Sequence, residues 1–327
     1  SCSSTNYLTM TVTEPAPVYL SDNIQKIAIL DRSLPNEETK ILDALDKILT
    51  AEGKELDKDG AKEMINGLKD ELLERNRFSK IKVLSINERS PGMGVFPSKL
   101  TWKKVDQLCK MNSVDALYVL SFYDTDARVD YKQIPVEVKN PLGGVIKTVE
   151  HQATITTNIK CGWRIYDNQN KTIQDEFIIN ERIVSQGRGI NPLKAIKAVV
   201  DRKEHVMDMS NRMGHTYAGR IFNYDIRVSR DYYVRGTDNF KIAKRRAQTG
   251  DWDGAADLWE MELTNPKMKV AGRATYNMAI INEINGNLDE ALDWASKAYT
   301  DYGDKRALRY TNILKSRIQK NKLLYGE

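Results

Sequence analysis

The spacing of apolar residues along the chain changes several times, and each change marks an element. Ile24 to Leu30 is a short apolar run ending at Asp31, which predicts a strand. Ile41, Leu42, Leu45, Ile48 and Leu49 then recur on one helical face. A polar break follows from Gly53 to Asp59, and a second helical face carries Ala61, Met64, Ile65, Leu68, Leu72 and Leu73 up to Arg75. Phe78 to Leu84 reads as a strand, and Ser85 to Lys99, with Pro91-Gly92-Met93-Gly94 and Pro97, as a loop. Thr101 can cap a helix carrying Trp102, Val105, Leu108 and Cys109, before a strand over Leu117 to Phe122. Alternating strands and helices of this kind indicate an α/β sheet.

Beyond Phe122 the period becomes two. Ala127, Val129 and Tyr131 alternate, and the phase slips from Gln133 to Ile134, Val136 and Val138, which predicts a bulge or bend. Asn140 to Gly144 is a turn, and from Ala153 to Ile165 the alternation is strict. Asp167 to Asn170 turns the chain and Thr172 to Val184 returns it, so these are long antiparallel strands with one buried face. Pro192 can open a helix with Leu193, Ile196, Val199 and Val200 on its face; another spans roughly Glu204 to Phe222; Tyr224 to Tyr233 is extended. Residues 1–22, rich in Ser, Thr and Pro, read as a tail or linker. The expected organisation is a tail over 1–22, then a domain over 23–233 of α+β or α/β class: a mixed sheet with a long antiparallel hairpin and flanking helices. An all-α domain over 234–327 follows.

The helical domain holds one pattern twice. Gly250-Asp251-Trp252-Asp253-Gly254-Ala255 precedes Trp259, and Gly286-Asn287-Leu288-Asp289-Glu290-Ala291 precedes Ala295 and Ala298, with glycines and alanines each 36 residues apart. This resembles a pair of tetratricopeptide (TPR) repeats, whose period is about 34 residues. The resemblance implies a binding surface. Ala255, Trp259, Ala291 and Trp294 would pack between helices, and a peptide groove would be lined by Phe240, Lys244 and Gln248 in the first repeat and Arg273, Tyr276, Ile280 and Ile284 in the second. Two repeats are fewer than the three a solenoid normally needs. Asp304 to Leu324 can close the array with Leu308, Ile313, Leu314, Ile318, Leu323 and Leu324, leaving a basic face in solvent.

A wider resemblance rests on Lys26-Ile27-Ala28-Ile29-Leu30, the helix ending before Arg77-Phe78, Val114-Asp115-Ala116-Leu117, and Trp163-Arg164-Ile165-Tyr166-Asp167. These resemble the α/β domain of bacterial envelope lipoproteins such as CsgG and LpoB and the amino-terminal part of TolB. With the repeats, the chain resembles Bacteroidetes lipoproteins with TPR-like C-termini. The resemblance implies assembly or scaffolding at the envelope, with a possible homo-oligomer through the α/β domain. It also raises a membrane barrel, in which a hairpin needs a continuous apolar face towards lipid. Ala153 to Ile165 has one, but in its partner Asp175 and Glu181 share a face with Ile173, Phe177 and Ile179, so the expectation is packing under helices.

Composition narrows the rest. The chain of 327 residues is 41% hydrophobic and 29% charged, with interleaved signs and a net charge of +5, an ordinary globular composition. No basic stripe with interleaved aromatics suggests a nucleic-acid partner. No run of about 18 apolar residues suggests a transmembrane helix. Cys109 and Cys161 fall at apolar phase and read as buried thiols. Cys2, in Ser1-Cys2-Ser3-Ser4-Thr5, reads as the lipidated cysteine of a bacterial lipoprotein after signal-peptide removal, with Ser3 favouring the outer membrane facing the periplasm. Natural processing would cut just before the cysteine, so Ser1 departs from that pattern.

Catalytic signals are sparse. His151, His205 and His215 have no metal-ligand spacing, and there is no nucleophile elbow or phosphate-binding glycine loop. No cofactor is expected. The alternative to a non-catalytic scaffold is a metal-dependent hydrolase using Asp31, Asp124 and Asp126, since ligands in open α/β sheets gather at strand carboxyl ends.

Overall fold

The computed structural model describes residues 4–33, 44–84, 96–139, 144–199 and 201–325. Cys2, the helical positions Ile41 and Leu42, Val200, the Pro91–Gly94 segment and the turn residues 140–143 lie outside them. The chain is mixed α/β, a sheet-rich region followed by a helical one, and it divides into two compact units: residues 18–221, and residues 1–17 with 222–327.

The first unit contains β2 (Lys26–Asp31), α1 (Ala44–Glu74), β3 (Lys80–Leu84), α2 (Trp102–Asn112), β4 (Ala116–Lys139), β5 (Val145–Asp167), β6 (Thr172–Gly189), α3 (Pro192–Lys197) and α4 (Arg202–Gly219). The sheet order is β3-β2-β4-β5-β6, with β2 parallel to β3 and β4 and the rest antiparallel. Helices α1 and α4 cover one face. Met64, Leu68 and Leu72 pack there, and Trp163 stacks on Tyr217 with centroids 5.0 Å apart. Helix α2 covers part of the opposite face, where Val105, Leu108 and Cys109 meet Leu117, Val119 and Tyr166. The side chain of Thr101 caps this helix by accepting from the Lys104 amide. Cys109 and Cys161 are buried free thiols, both pushed up to about 12 chiefly by desolvation.

Two local expectations change. The polar break at Gly53–Asp59 is helical, so one helix of 31 residues replaces two. A glycine costs a helix only about 1 kcal/mol, and the neighbouring Lys54, Glu55 and Leu56 are good helix formers. Buried Leu56 keeps the apolar face continuous. Gly67 and Gly214 then let α1 and α4 touch. A Cβ at Gly67 would lie 2.1 Å from the Asn211 carbonyl, and one at Gly214 would lie 2.1 Å from the Met64 carbonyl.

The bulge also moves. Pairing of β4 with β5 shifts between Leu120 and Phe122 and then runs unbroken from Phe122↔Gly162 to Lys139↔Val145, straight through Gln133 and Ile134. What changes at Ile134 is which face is apolar. The last pair with β6 is His151↔Gly189, so the hairpin tip beyond it is two-stranded, with Val138, Val145, Ile146 and Val149 exposed. On β6, Asp175 is held by Arg220, the residue that caps the C-terminus of α4 (2.9 Å), whose guanidinium lies over the Phe177 ring. Of the charges on that strand, Asp175 is therefore met by Arg220, Glu176 by Arg164 of β5 (2.6 Å), and Glu181 is exposed; the apolar face of β5 packs under the helices, Trp163 against Tyr217 of α4.

The second unit contains β1 (Thr5–Glu14), β7 (Tyr224–Tyr233), α5 (Asp238–Gln248), α6 (Trp252–Glu260), α7 (Met268–Ile284), α8 (Leu288–Thr300) and α9 (Lys305–Tyr325). Residues 5–14 are thus a strand and not a tail, paired antiparallel from Thr5↔Tyr233 to Glu14↔Tyr224. Leu8, Met10 and Val12 alternate and turn inward, Leu8 and Val12 buried and Met10 partly so. The compact unit accordingly takes in Phe222 to Tyr233, upstream of the expected boundary at 234.

The 36-residue period reappears as geometry. Gly250 and Gly286 sit at φ +86° and +82°, a region L side chains rarely adopt, and each is followed by a helix-capping residue with matching dihedrals. Ala255 and Ala291 are fully buried where consecutive helices touch. Helix α9 packs on α8, but its buried face is Ala307, Tyr310, Thr311 and Leu314. Leu308, Ile313 and Leu323 of the expected apolar set are exposed. The true stripe repeats at i, i+3, i+4 and i+7 through small and polar-tipped residues that an aliphatic count passes over. Part of its basic face is also engaged: Arg306 pairs with Asp231, Arg317 with Glu283, and Lys320 with Glu14.

Candidate functional site

The expected peptide groove is not open. Phe240, Tyr276 and Ile280 are core residues, Ile284 packs against that core, Lys244 is half-buried, and only Gln248 is exposed. The β1–β7 ribbon occupies this face. Asn277 on α7 brackets the backbone of Tyr233, donating to its carbonyl and accepting from its amide, both at 2.8 Å. Tyr232 packs against Trp252 and Trp259, and Tyr233 against Tyr276. Arg273 donates to the Arg235 carbonyl (2.6 Å), and its guanidinium lies over the Tyr233 ring. The helices therefore hold an extended segment of their own chain where a foreign peptide was expected.

Beside the filled groove lies a cleft of about 500 Å³, bounded by Tyr7 on β1, Arg230 and Asp231 on β7, Tyr276 on α7, and Arg306, Arg309, Tyr310 and Ile313 on α9. Its foundation is Glu283, whose side chain is 0% exposed. That carboxylate accepts from both forks of Arg230 (2.7 and 2.8 Å), from the Tyr310 hydroxyl (2.5 Å) and from Arg317. Burial pushes the Glu283 carboxyl up, but the Arg230, Tyr310 and Arg317 contacts outweigh it and hold the group below its ordinary range. Asp231 on the cleft wall accepts from Tyr276 (3.2 Å) and Arg306. Three arginines, Arg230, Arg306 and Arg317, thus meet two carboxylates, Asp231 and Glu283. Arg309 is exposed and, among the described residues, has no hydrogen-bond or ion-pair partner. Neither the cleft nor its acid anchor Glu283 figures in the sequence reading, because Tyr7 stands in the presumed tail and Glu283 among polar helix residues.

The carboxylates of the hydrolase alternative do not come together. Asp31 accepts from the amide and hydroxyl of Ser33 (2.9 and 2.7 Å), a local turn. It pairs across to Leu120, so Asp124 lies roughly 10–13 Å farther along β4. Asp124 and Asp126 stand opposite Lys160 and Asn158, with Asn180 and Arg182 beyond, on the open sheet face. Among the described residues no group of three or more His, Cys, Asp or Glu side chains is placed to hold a metal. His215 bonds Glu71 (2.9 Å) and His205 faces Ser185 (3.3 Å), both contacts within the fold.

One further carboxyl went unread in the sequence. Asp57 on α1 accepts from the Thr125 amide and hydroxyl (2.9 and 2.6 Å), and burial, reinforced by Asp124 and only partly opposed by these bonds, pushes it up to about 7. Its folded value lies above the unfolded one of 3.8, so the folded unit binds more protons between those limits and loses stability as pH rises through them. Asp57→Asn keeps the acceptor and removes the charge. One pKa unit is about 1.4 kcal/mol, and partial solvent access reduces the full shift to an expected gain of about 1–3 kcal/mol at pH 8. Urea midpoints at pH 5 and pH 8 check this; an unchanged pH slope in the variant would contradict it.

Residues 24–233 match the family described as Domain of unknown function (DUF8603), which covers nearly two thirds of the sequence. The chain belongs to this DUF8603 family. Residues 241–316 match a second, described as Domain of unknown function (DUF6340). Among curated proteins none matches this DUF8603 chain. Solved structures similar to it include the PelC dodecamer from Paraburkholderia phytofirmans, at 9% identity and TM-score 0.24, covering 66% of this chain and 97% of the other. Another is a neuraminyllactose-binding hemagglutinin homolog from Helicobacter pylori, at 10% identity and TM-score 0.24, covering 63% and 92%. At such scores neither assembly state nor ligand transfers to the DUF8603 chain.

Proposed function

We propose that this protein is a non-catalytic scaffold of the bacterial cell envelope that binds a partner protein. It is held by lipid on Cys2, at the outer membrane facing the periplasm, and needs no cofactor. Its paired helices are TPR-like, an assignment supported by the matched glycine turns at Gly250 and Gly286 and the buried Ala255 and Ala291. The observation that carries the reading is the cleft beside the filled groove. It is walled by aromatic rings and arginines and fixed by a buried ion-pair network, a set suited to recognition. The α/β unit, with its exposed hairpin tip at Val138, Val145 and Ile146, offers a second surface through which copies could assemble.

The test is fractionation and crosslinking in cells. The intact protein is expected in the membrane fraction, crosslinked to a partner, and Cys2→Ala is expected in the soluble fraction. A protein that stays soluble with Cys2 intact, or that yields no crosslinked partner, ends this reading.

A further inference from the structure

We propose that the cleft between β1 and α9 binds an acidic peptide segment in extended conformation, with a carboxylate seated on Arg309. The inference rests on the scaffold reading and names the chemistry of its partner. The molecule already contains a worked example of such binding. Asp231-Tyr232-Tyr233 is an acidic residue followed by two aromatics on an extended strand. Its backbone is bracketed by Asn277, its rings are packed by helix side chains, and its carboxylate is held by Arg306 and the Tyr276 hydroxyl. Residues three apart on a helix share a face, with Cβ atoms about 5–6 Å apart. Arg309 therefore repeats the position of Arg306 one turn along α9, beside Ile313, and no carboxylate of the described residues meets it.

The surroundings favour a peptide over a bare anion. Tyr7, 70% exposed, and Ile313, 40% exposed, stand next to the free guanidinium, so an apolar or aromatic side chain can cover them while its neighbouring carboxylate meets Arg309. A planar guanidinium takes a carboxylate through two parallel bonds, which gives orientation as well as attraction. A volume of about 500 Å³ is within the range of specific ligand sites. The cleft also carries more arginines than acids, and its walls at Arg230 and Arg306 are fixed by Glu283 and Asp231 before a ligand arrives, so the ordering cost falls mainly on Arg309.

The experiment uses the full chain and fluorescence anisotropy with a labelled peptide Gly-Glu-Tyr-Glu-Tyr-Gly, against the same peptide with Gln for Glu. The Glu peptide is expected to bind at least tenfold more tightly, and Arg309→Glu to lower its affinity by about tenfold or more, with Arg309→Lys intermediate. Arg309 is exposed, so these variants keep the fold, which circular dichroism verifies. Equal affinity for the two peptides, or an unchanged affinity in Arg309→Glu, overturns the proposal. So does Arg309-dependent binding to phosphatidylglycerol vesicles with none to the peptide, or full displacement of the peptide by millimolar inorganic phosphate. Crosslinking separates the two readings. An Arg309→Glu protein that still recovers its envelope partner leaves the scaffold standing without this site, whereas peptide binding with no envelope partner sinks the scaffold alone.

Discussion

Replacing Glu283 with Ala is expected to destabilise the strand–helix unit by about 3–5 kcal/mol, the range for removing one partner of a buried ion pair. The side chain lies at 0% exposure between Arg230, Arg317 and Tyr310. Its removal leaves two guanidinium groups and a hydroxyl without their carboxylate, and Arg230, only 9% exposed, keeps just the Ser229 carbonyl as acceptor. The pair itself contributes little against an apolar substitute, because desolvation offsets its attraction. Arg230→Met combined with Glu283→Leu is therefore expected to recover most of the loss, although Arg317 still lacks its acceptor. Native-state hydrogen exchange is the measurement: amides of α7 and α9 lose protection in the single variant, while those of β2 and β4 do not. Acid should act in the same direction. The folded carboxyl titrates below its ordinary value of 4.5, so its contribution is present above that pH and is lost as pH falls through the lower folded value. A single variant as protected as the wild type, or with an unchanged acid limb, would falsify this account of the cleft's foundation.

What the sequence reveals and what it hides follow from how far each interaction reaches along the chain. The strand at Lys26–Asp31, the capped helix after Thr101, the alternation of β5 and the two glycine turns are all local, set by period, cap and backbone restriction within a few residues. The class of the fold, a sheet-rich region before a helical one, is accordingly legible. The site is not. Phe240, Tyr276 and Ile280 have the residue types of an open groove, but whether a groove is open depends on what else lies in it, and here that is β7, paired with a strand more than 200 positions upstream. The same distance hides the role of Glu283, which in sequence is one more charge on a helix. Helix α9 fails for a different reason. Its buried residues Ala307, Tyr310 and Thr311 are ambivalent between core and surface, and only the packing partner decides.

A chain lacking residues 4–14 is expected to lose the folded strand–helix unit, or to hold it so weakly that α5 to α7 exchange their amides freely. Leu8 and Val12 are buried and each contributes about 1.5–3 kcal/mol through removal from water. Without β1, the ten-residue ladder to β7 is gone, and Tyr232, which accepts at its hydroxyl from Asn6, faces solvent on that side. The sum is comparable with the whole stability of a domain, about 5–15 kcal/mol. Two controls separate this loss from a general effect of truncation. Val12→Asp buries an uncompensated carboxylate in the same place and is expected to weaken the same amides with the chain length intact. A synthetic peptide of residues 4–17, added in trans, is expected to restore protection, since it can supply the same ladder and the same apolar face. The α/β unit, which contains none of these residues, should keep its protection throughout. If the shortened chain instead protects α7 as the full chain does, residues 4–14 are the tail their composition suggests, and β7 alone fills the groove. The cleft would then lose Tyr7 as one of its walls, and the peptide affinity of the shortened chain would report directly how much that ring contributes.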